Sequence, residues 1–342
     1  MKISLLIIFL STIFLFLINY ICKSKNFLLD HKRLKHKSYT SQELVPMTGG
    51  FLIFFYSFLA FDNLIIKFFL FLIFFFGVLS DLFVITNPLK KFFFQVLIII
   101  LFLIFLKINI SSTKVFFIDY LLKNKFFSIL FTCFCLLILI NGSNFMDGVN
   151  TLVCGYYALV VLTILYLGSF ATIQYDFYNF YYLFLVLIVL FFFNSKSKTY
   201  LGDSGVFLLS LTIGYYLIDL SNHNLKSEQF ISPIFIMLLL WYPAFENLFS
   251  ILRKKYSKIN PLLPDNMHLH HLLFSFLKKR LNKNINFINT LSGMLINLYN
   301  FIIFFIGSQF YLSTKYLSFL VAINIFVYLS FYSFLRRMNI KG

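Results

Sequence analysis

The chain has 342 residues, 60% of them hydrophobic, with 29 Lys and Arg against 12 Asp and Glu and a mean hydropathy of +0.88. Charged residues make up only 12% of the chain, too few to cover a soluble domain of this length, so the composition excludes a water-soluble globular enzyme. The net charge of +17 is interleaved with apolar runs and reads as basic loops against anionic lipid, not as a nucleic-acid surface.

Apolar runs of about 17–22 residues match the roughly 30 Å hydrocarbon thickness of a bilayer. They centre near residues 12, 54, 72, 99, 133, 160, 186, 211, 238, 298 and 325. In lipid each span must pair its own backbone groups, so the spans are helices. The expectation is an all-α integral membrane protein, a polytopic bundle of about eleven transmembrane helices, with 1–342 as a single domain. The first run, Ile3 to Ile21, is longer than a signal core and no small-x-small cleavage site follows it. Lys23, Lys25, Lys32 and Arg33 come next, so it reads as a retained span. Only Asp62 and Asn63 separate the second run from the third. Phe is abundant, at 51 residues, as suits lipid-facing positions that accept any large apolar side chain. The four cysteines, Cys22, Cys133, Cys135 and Cys154, fall in or beside apolar runs and read as free thiols, with no metal or disulfide framework.

Basic residues set the expected orientation. With the segment after the first span in the cytosol, twenty-one of the 29 Lys and Arg fall on the cytosolic side. The amino terminus is then outside and the carboxy terminus cytosolic, and loops 23–50, 81–91, 141–150, 194–203 and 250–287 share the cytosolic face. On that map Asp30, Glu43, Asp81, Asp147, Asp203, Glu246 and Asp265 are cytosolic, whereas Asp62, Asp119, Asp176, Asp219 and Glu228 are outside. Asp81, Asp147, Asp203 and Glu246 stand at or near span ends, where an ionisable group is costly unless it faces a polar cavity.

Three constellations carry candidate chemistry. Asn144, Asp147 and Asn150 are spaced three apart and share one broad face if the helix continues through them; the bland alternative is helix capping. In Tyr200-Leu201-Gly202-Asp203-Ser204-Gly205 the glycines let a phosphate or metal approach the backbone. Helix-start N–H groups there favour anions, and a carboxylate beside a diphosphate suits Mg²⁺; the alternative is a plain helix start. His268, His270 and His271 follow Pro264-Asp265-Asn266-Met267 and are read as phosphate contacts more readily than as a transition-metal site. Lesser signals are Pro46-Met47-Thr48-Gly49-Gly50, Ser80-Asp81, and Lys90-Lys91 with Gln95 one turn later. The lysines read either as a lipid-phosphate contact or as membrane-surface anchoring.

These pieces in this order (Pro46–Gly50, Gly77–Leu82, Asn144–Gly148, Gly202–Gly205 and His268–His271) resemble the polyprenyl-phosphate N-acetylhexosamine-1-phosphate transferase family. That family includes the enzyme that starts enterobacterial common antigen and O-antigen, and the phospho-N-acetylmuramoyl-pentapeptide transferase of peptidoglycan synthesis. The resemblance implies transfer of a sugar 1-phosphate from a UDP-N-acetylhexosamine to undecaprenyl phosphate, with release of UMP and a requirement for Mg²⁺, or Mn²⁺ in its place. It implies a multi-pass protein of the bacterial plasma membrane, with its site facing the cytosol and a homodimer as a candidate assembly. Residue by residue, Asp203 matches the metal-binding aspartate, with Asn144 assigned beside it. Asp81, Asp147, His268, His270 and His271 are assigned to catalysis, and Asn144, Asn150, Lys90 and Lys91 to binding of the substrates.

Three departures stand out. Ser80 occupies the place of the first of two adjacent aspartates, Asn150 the place of a second aspartate, and Asp265-Asn266 the place of a common Asp-Arg. The His-x-His-His pattern and the span count favour the surface-polysaccharide initiators (O-antigen and lipopolysaccharide, or cell-wall polymers) over the muramoyl-pentapeptide enzymes. A lipid or sugar transporter is the rival from another class, but it would place ionisable residues near mid-span.

Overall fold

The computed structural model describes residues 2–30, 44–170, 175–224, 231–258, 260 and 265–340. Lys32, Arg33, Glu43, Glu228 and Pro264, and with them parts of the loops 23–50 and 250–287, lie outside the described residues. Among the described residues fourteen helices follow one another: α1 (Lys2–Ser24), α2 (Gly49–Ala60), α3 (Leu64–Asp81), α4 (Pro88–Leu106), α5 (Phe116–Leu122), α6 (Lys125–Met146), α7 (Leu152–Phe170), α8 (Tyr178–Ser195), α9 (Gly202–Asn224), α10 (Pro233–Leu239), α11 (Trp241–Tyr256), α12 (Leu269–Arg280), α13 (Ile285–Gln309) and α14 (Thr314–Ile340). Among the described residues there is no strand, only one isolated bridge between Leu29 and Pro46.

Asparagines start many of these helices. Asn63, Asn87, Asn124 and Asn284 each turn a side-chain oxygen onto the first free N–H groups of α3, α4, α6 and α13. Asn87 is followed by Pro88, whose missing N–H costs nothing in a first turn.

All eleven apolar runs are helical, but two are not simple spans. Nine helices among the described residues are long and apolar enough to cross a membrane, or ten counting one bent pair. α2 has 12 residues, about 18 Å of rise, which falls short of a bilayer core. The run near residue 238 breaks into α10 and α11, bent by 70°. The break falls at Leu240, and Pro243 lies in the first turn of α11, where a proline is tolerated. The eleven-span expectation is therefore corrected: hydropathy sees the apolar stretch but not where it stops or bends.

α9 is the hub of the bundle, with 78% of its spanning window buried; for α1, α4 and α14 the figure is 22%. α2, α3 and α6 pack directly on α9. The outer helices turn large apolar side chains outward, among them Phe9, Phe16, Phe93, Phe105, Phe319 and Phe326. The protein is thus a multi-pass membrane bundle.

Candidate active site

The end of α3 meets the start of α9. A β-carbon on Gly77 would lie 2.3 Å from Ser204 Cα, so only glycine lets the two backbones come this close. Asp81, buried, accepts hydrogen bonds from Asp203 N at 2.7 Å and Ser204 N at 3.0 Å. The carboxylate thus caps α9 from another helix and sits at the positive end of its dipole. Gly202 has φ +69°, and a β-carbon there would meet Asp81 Oδ2 at 2.7 Å. This corrects the reading of the Gly-Asp-Ser-Gly turn as an open anion cradle. The anion on these N–H groups is Asp81, Gly202 makes room for it, and Gly205 is spent on close contact with Gly50.

Asp203 has different partners. Its Oδ2 accepts from the Ser80 hydroxyl and from Lys91 Nζ at 3.0 Å. The Asp203 side chain is 22% exposed and that of Lys91 28%, so this pair lies at the edge of the packed region. Ser80, where the resemblance expects an acid, acts as a hydroxyl donor to Asp203. Lys90 is exposed and its side chain is not drawn into this cluster; of the two lysines, the structure selects Lys91.

Pro46–Gly50 belongs to the same knot. Tyr200 N donates to Pro46 O at 2.9 Å, and Gly49 N donates to Tyr200 O at 3.0 Å. Thr48 donates to Asn19 of α1, and Asn19 Nδ2 reaches Thr199 Oγ1 at 2.7 Å.

The histidines form the second cluster. Arg253 of α11 forks onto Asp265, at 2.8 and 3.1 Å, and the buried Lys254 stands 3.9 Å from the same carboxylate. Burial pushes the Asp265 pKa up, but the Arg253 hydrogen bonds and the charges of His268, Arg253 and Lys254 outweigh it and hold the carboxyl below its ordinary range. His268 Nδ1 lies 2.8 Å from Glu246 Oε1, and its Nε2 lies 3.5 Å from Asp265 Oδ1. Tyr328 of α14 donates to Glu246 Oε2 at 2.6 Å. His268 therefore has a carboxylate at each ring nitrogen and acts as a strut.

His270 is different. It is fully buried, and neither ring nitrogen has a hydrogen-bond partner among the described residues. Burial, reinforced by His271 and His268, pushes its pKa well below the ordinary value. The His270 and His271 rings are 4.2 Å apart. A β-carbon on Gly148 would lie 2.5 Å from His271 Cε1 and 2.8 Å from His270 Nε2, so the turn after Asp147 closes directly on the histidines.

The stretch 141–150 joins the clusters. Asn141 Nδ2 donates to Gln95 Oε1 at 3.1 Å, one turn along α4 from Lys91. Gly142 packs on the Pro243 carbonyl. α6 ends at Met146 with Asp147 as its C-cap, so Asn144, Asp147 and Asn150 do not share a continuous helix face. Asn144 and Asp147 are half-buried at the helix end. Asn150 is buried; its N–H donates to Asn289 and its side chain donates to Ser197 Oγ at 2.8 Å. Its side-chain nitrogen thus ties the 147–151 turn to the 196–201 loop.

Sequence reading also missed Arg253 and Lys254, because a basic run at a helix end looks like membrane-surface anchoring. Its partner Asp265 lies twelve residues on, too far for a local pattern to reveal.

Among the described residues no group of three or more His, Cys, Asp and Glu is placed to hold a metal ion. An all-protein cage is thereby absent from these residues. The donor set fits a hard cation that takes one or two carboxylates and completes its shell with phosphate oxygens and water, as Mg²⁺ does.

Comparison with known proteins finds relatives of the chain. The model of the family described as glycosyl transferase family 4 matches residues 63–221. That match spans Ser80–Asp81, Lys91, Asn144–Asn150 and Asp203. The chain is 30% identical over 144 residues to a probable undecaprenyl-phosphate N-acetylglucosaminyl 1-phosphate transferase of Bacillus subtilis, covering 40% of this chain and 37% of that protein. It is 24% identical over 289 residues to the undecaprenyl-phosphate alpha-N-acetylglucosaminyl 1-phosphate transferase of Escherichia coli K12, covering 79% of this chain and 75% of the relative. A decaprenyl-phosphate N-acetylglucosaminephosphotransferase of Mycolicibacterium smegmatis is 29% identical over 86 residues, 23% of this chain and 21% of that protein. Family model and relatives together make the chain similar to glycosyl transferase family 4 and to proteins named as polyprenyl-phosphate N-acetylglucosaminyl 1-phosphate transferases.

Proposed function

We propose that the protein transfers an N-acetylhexosamine 1-phosphate from a UDP-sugar to undecaprenyl phosphate, releasing UMP and starting a lipid-linked cell-surface polysaccharide. The observation that carries this reading is the convergence of Asp81, Asp203, Lys91 and, across the 141–150 stretch, the three histidines at one end of a membrane bundle. A soluble diphosphate and a membrane-bound phosphate can meet only at such an end. The excess of basic residues in the segments at that end supports a cytosolic face at the plasma membrane.

A phosphate oxygen of the lipid attacks the β-phosphorus of the nucleotide sugar. The new bond joins that oxygen to phosphorus, and the bond between the β-phosphorus and the bridging oxygen breaks, so UMP leaves with the electron pair. Catalysis of this kind is mostly positioning plus charge stabilisation. Mg²⁺ bound at Asp203, with Asp147 as its neighbour, would supply positive charge to the diphosphate. Lys91, partly exposed at the edge of the knot, places a cation beside the reacting phosphates. Asp81 does not touch substrate; it fixes the start of α9 and hence Asp203. His270, kept neutral by burial, has a ring N–H to offer to a diphosphate or sugar oxygen, and His268 holds the histidine arm in place.

The test is UMP release by the purified protein from a panel of UDP-N-acetylhexosamines with undecaprenyl phosphate and Mg²⁺. Asp203→Asn keeps the size of the side chain but removes its charge, and it is expected to lower turnover by about 10³-fold. Absence of UMP with every sugar, or an Asp203→Asn rate equal to wild type, would sink the reading.

A further inference from the structure

Two loops adjoin Asp147 and Asp203: the turn from Asp147 to Thr151, and residues 196–201 leading into α9, whose first turn holds Asp203. Neither is a regular helix or strand, so their buried backbone groups need partners from elsewhere. Asparagine side chains supply them. Asn289 of α13 accepts from Asn150 N, and Asn297 of the same helix donates to Thr151 O at 2.9 Å. Asn19 of α1 donates to Thr199 Oγ1. Asn194, buried in the last turn of α8, accepts from Thr151 N and donates to Thr199 O at 2.9 Å.

Of these four, Asn194 alone touches both loops. It holds Thr151, four residues after Asp147, and Thr199, four residues before Asp203. Thr151 has φ 68° and Ser197, three residues after Asn194, has φ 50°. A β-branched residue in the left-handed region persists only where the surroundings over-determine it. Both loops are therefore pinned in costly conformations next to the amide that links them. A second tie, from Asn150 Nδ2 to Ser197 Oγ, runs alongside.

We propose that Asn194 is a positioning residue for the transfer: its side-chain amide sets the Asp147 turn against the start of the Asp203 helix, so that both carboxylates address one diphosphate and its cation. The catalytic meaning rests on the transferase reading above; the brace itself does not. Sequence gives no hint of it, because an asparagine at the polar end of an apolar run looks like a helix terminus.

The experiment compares wild type with Asn194→Ala and Asn194→Asp in the full-length purified protein. Asn194→Asp is isosteric and keeps the acceptor for Thr151 N, but it sets a carboxylate oxygen against Thr199 O. The alanine variant is expected to lose about 10²-fold in kcat. The aspartate variant is expected to lose about 10-fold, with the Mg²⁺ concentration for half-activation raised about 10-fold in both and KM for the lipid phosphate unchanged. A residue that merely stabilises the fold would reduce the active fraction and leave half-activation where it was; that result would overturn the proposal. The second readout needs no activity. Amide exchange across 149–153 is expected to speed up in Asn194→Ala while exchange in the middle of α9 stays slow, and equal exchange in both proteins would refute the brace. If the alanine variant does not fold, the aspartate variant decides both readouts. If wild type releases no UMP, the transferase reading falls and the exchange measurement still decides the brace.

Discussion

The two clusters at the site end of the bundle are built on opposite terms. In the carboxylate knot both oxygens of Asp81 are bonded, Asp203 Oδ2 has two donors, and glycines press the helices together at Gly77 and Gly202. In the histidine arm His268 is fully engaged, but His270 keeps two buried ring nitrogens without partners among the described residues. A buried unpaired polar group costs about 1–3 kcal/mol. The knot thus looks settled for stability, and the arm holds hydrogen-bonding capacity in reserve, as a ligand site does. The difference teaches that a buried carboxylate can be wholly engaged in holding two helices together, whereas the side chain left unpaired at a cost is the one to suspect of meeting a ligand.

Lys91 offers the sharpest way to break this contrast. If the knot's outer edge is where charge on the diphosphate is met, Lys91→Ala lowers turnover by about 10²-fold, whereas Lys90→Ala, on the exposed neighbour, stays within about 2-fold. Steady-state UMP release from the two variants checks it. Equal losses would mean that the lysines act together as surface charge and that the Lys91–Asp203 pair has no special place.

His270→Leu addresses the other side of the contrast, with a smaller effect on rate. Replacing a buried unsatisfied polar side chain by an apolar one of similar volume is neutral or stabilising. Turnover is expected to fall by about 10- to 30-fold while the thermal midpoint stays the same or rises. Loss of both activity and stability would show that His270 is a packing residue. Opposite movements would mark a functional residue kept at a cost to the fold.

Much of this site is legible in one dimension. Asp81, Asp203, Asp147 and the three histidines stand out because a carboxylate or imidazole beside an apolar run is expensive wherever it lies. What stays hidden is which partner each one finds. Asp81 and Asp203 are both acidic residues at span ends, yet one caps a helix and the other faces the edge of the cluster. The distinction depends on α3 and α9 touching at Gly77, which no local pattern encodes. Asn144, Asp147 and Asn150 keep a helical spacing across the point where α6 stops, so periodicity alone does not give the surroundings of Asn150. The apolar runs near residues 54 and 238 were recognised as membrane-embedded, but their length and bend depend on Gly49–Gly50 docking against α9 and on Pro243 meeting Gly142. Arg253 and Lys254 escape a sequence reading for the same reason: their partner Asp265 is set by the fold.

The smallest expected effect is on the pH dependence of stability, and it addresses the histidine arm. Burial, aided by His271 and His268, puts the His270 pKa in the folded protein well below its ordinary value of 6.5. The unfolded chain therefore takes up this proton first as pH falls, and stability drops as pH is lowered. The contribution is fully present above about pH 6.5 and is lost progressively towards the depressed folded value. Asp265, also held below its ordinary range, has its effect lower, as pH falls below its ordinary value of 3.8. Thermal unfolding in detergent between pH 7.5 and 5 is thus expected to show a decline in wild type that His270→Leu flattens and Lys91→Ala leaves in place. A decline of equal slope in His270→Leu would assign the proton to another group and remove the reserve of unpaired capacity from the account of the arm.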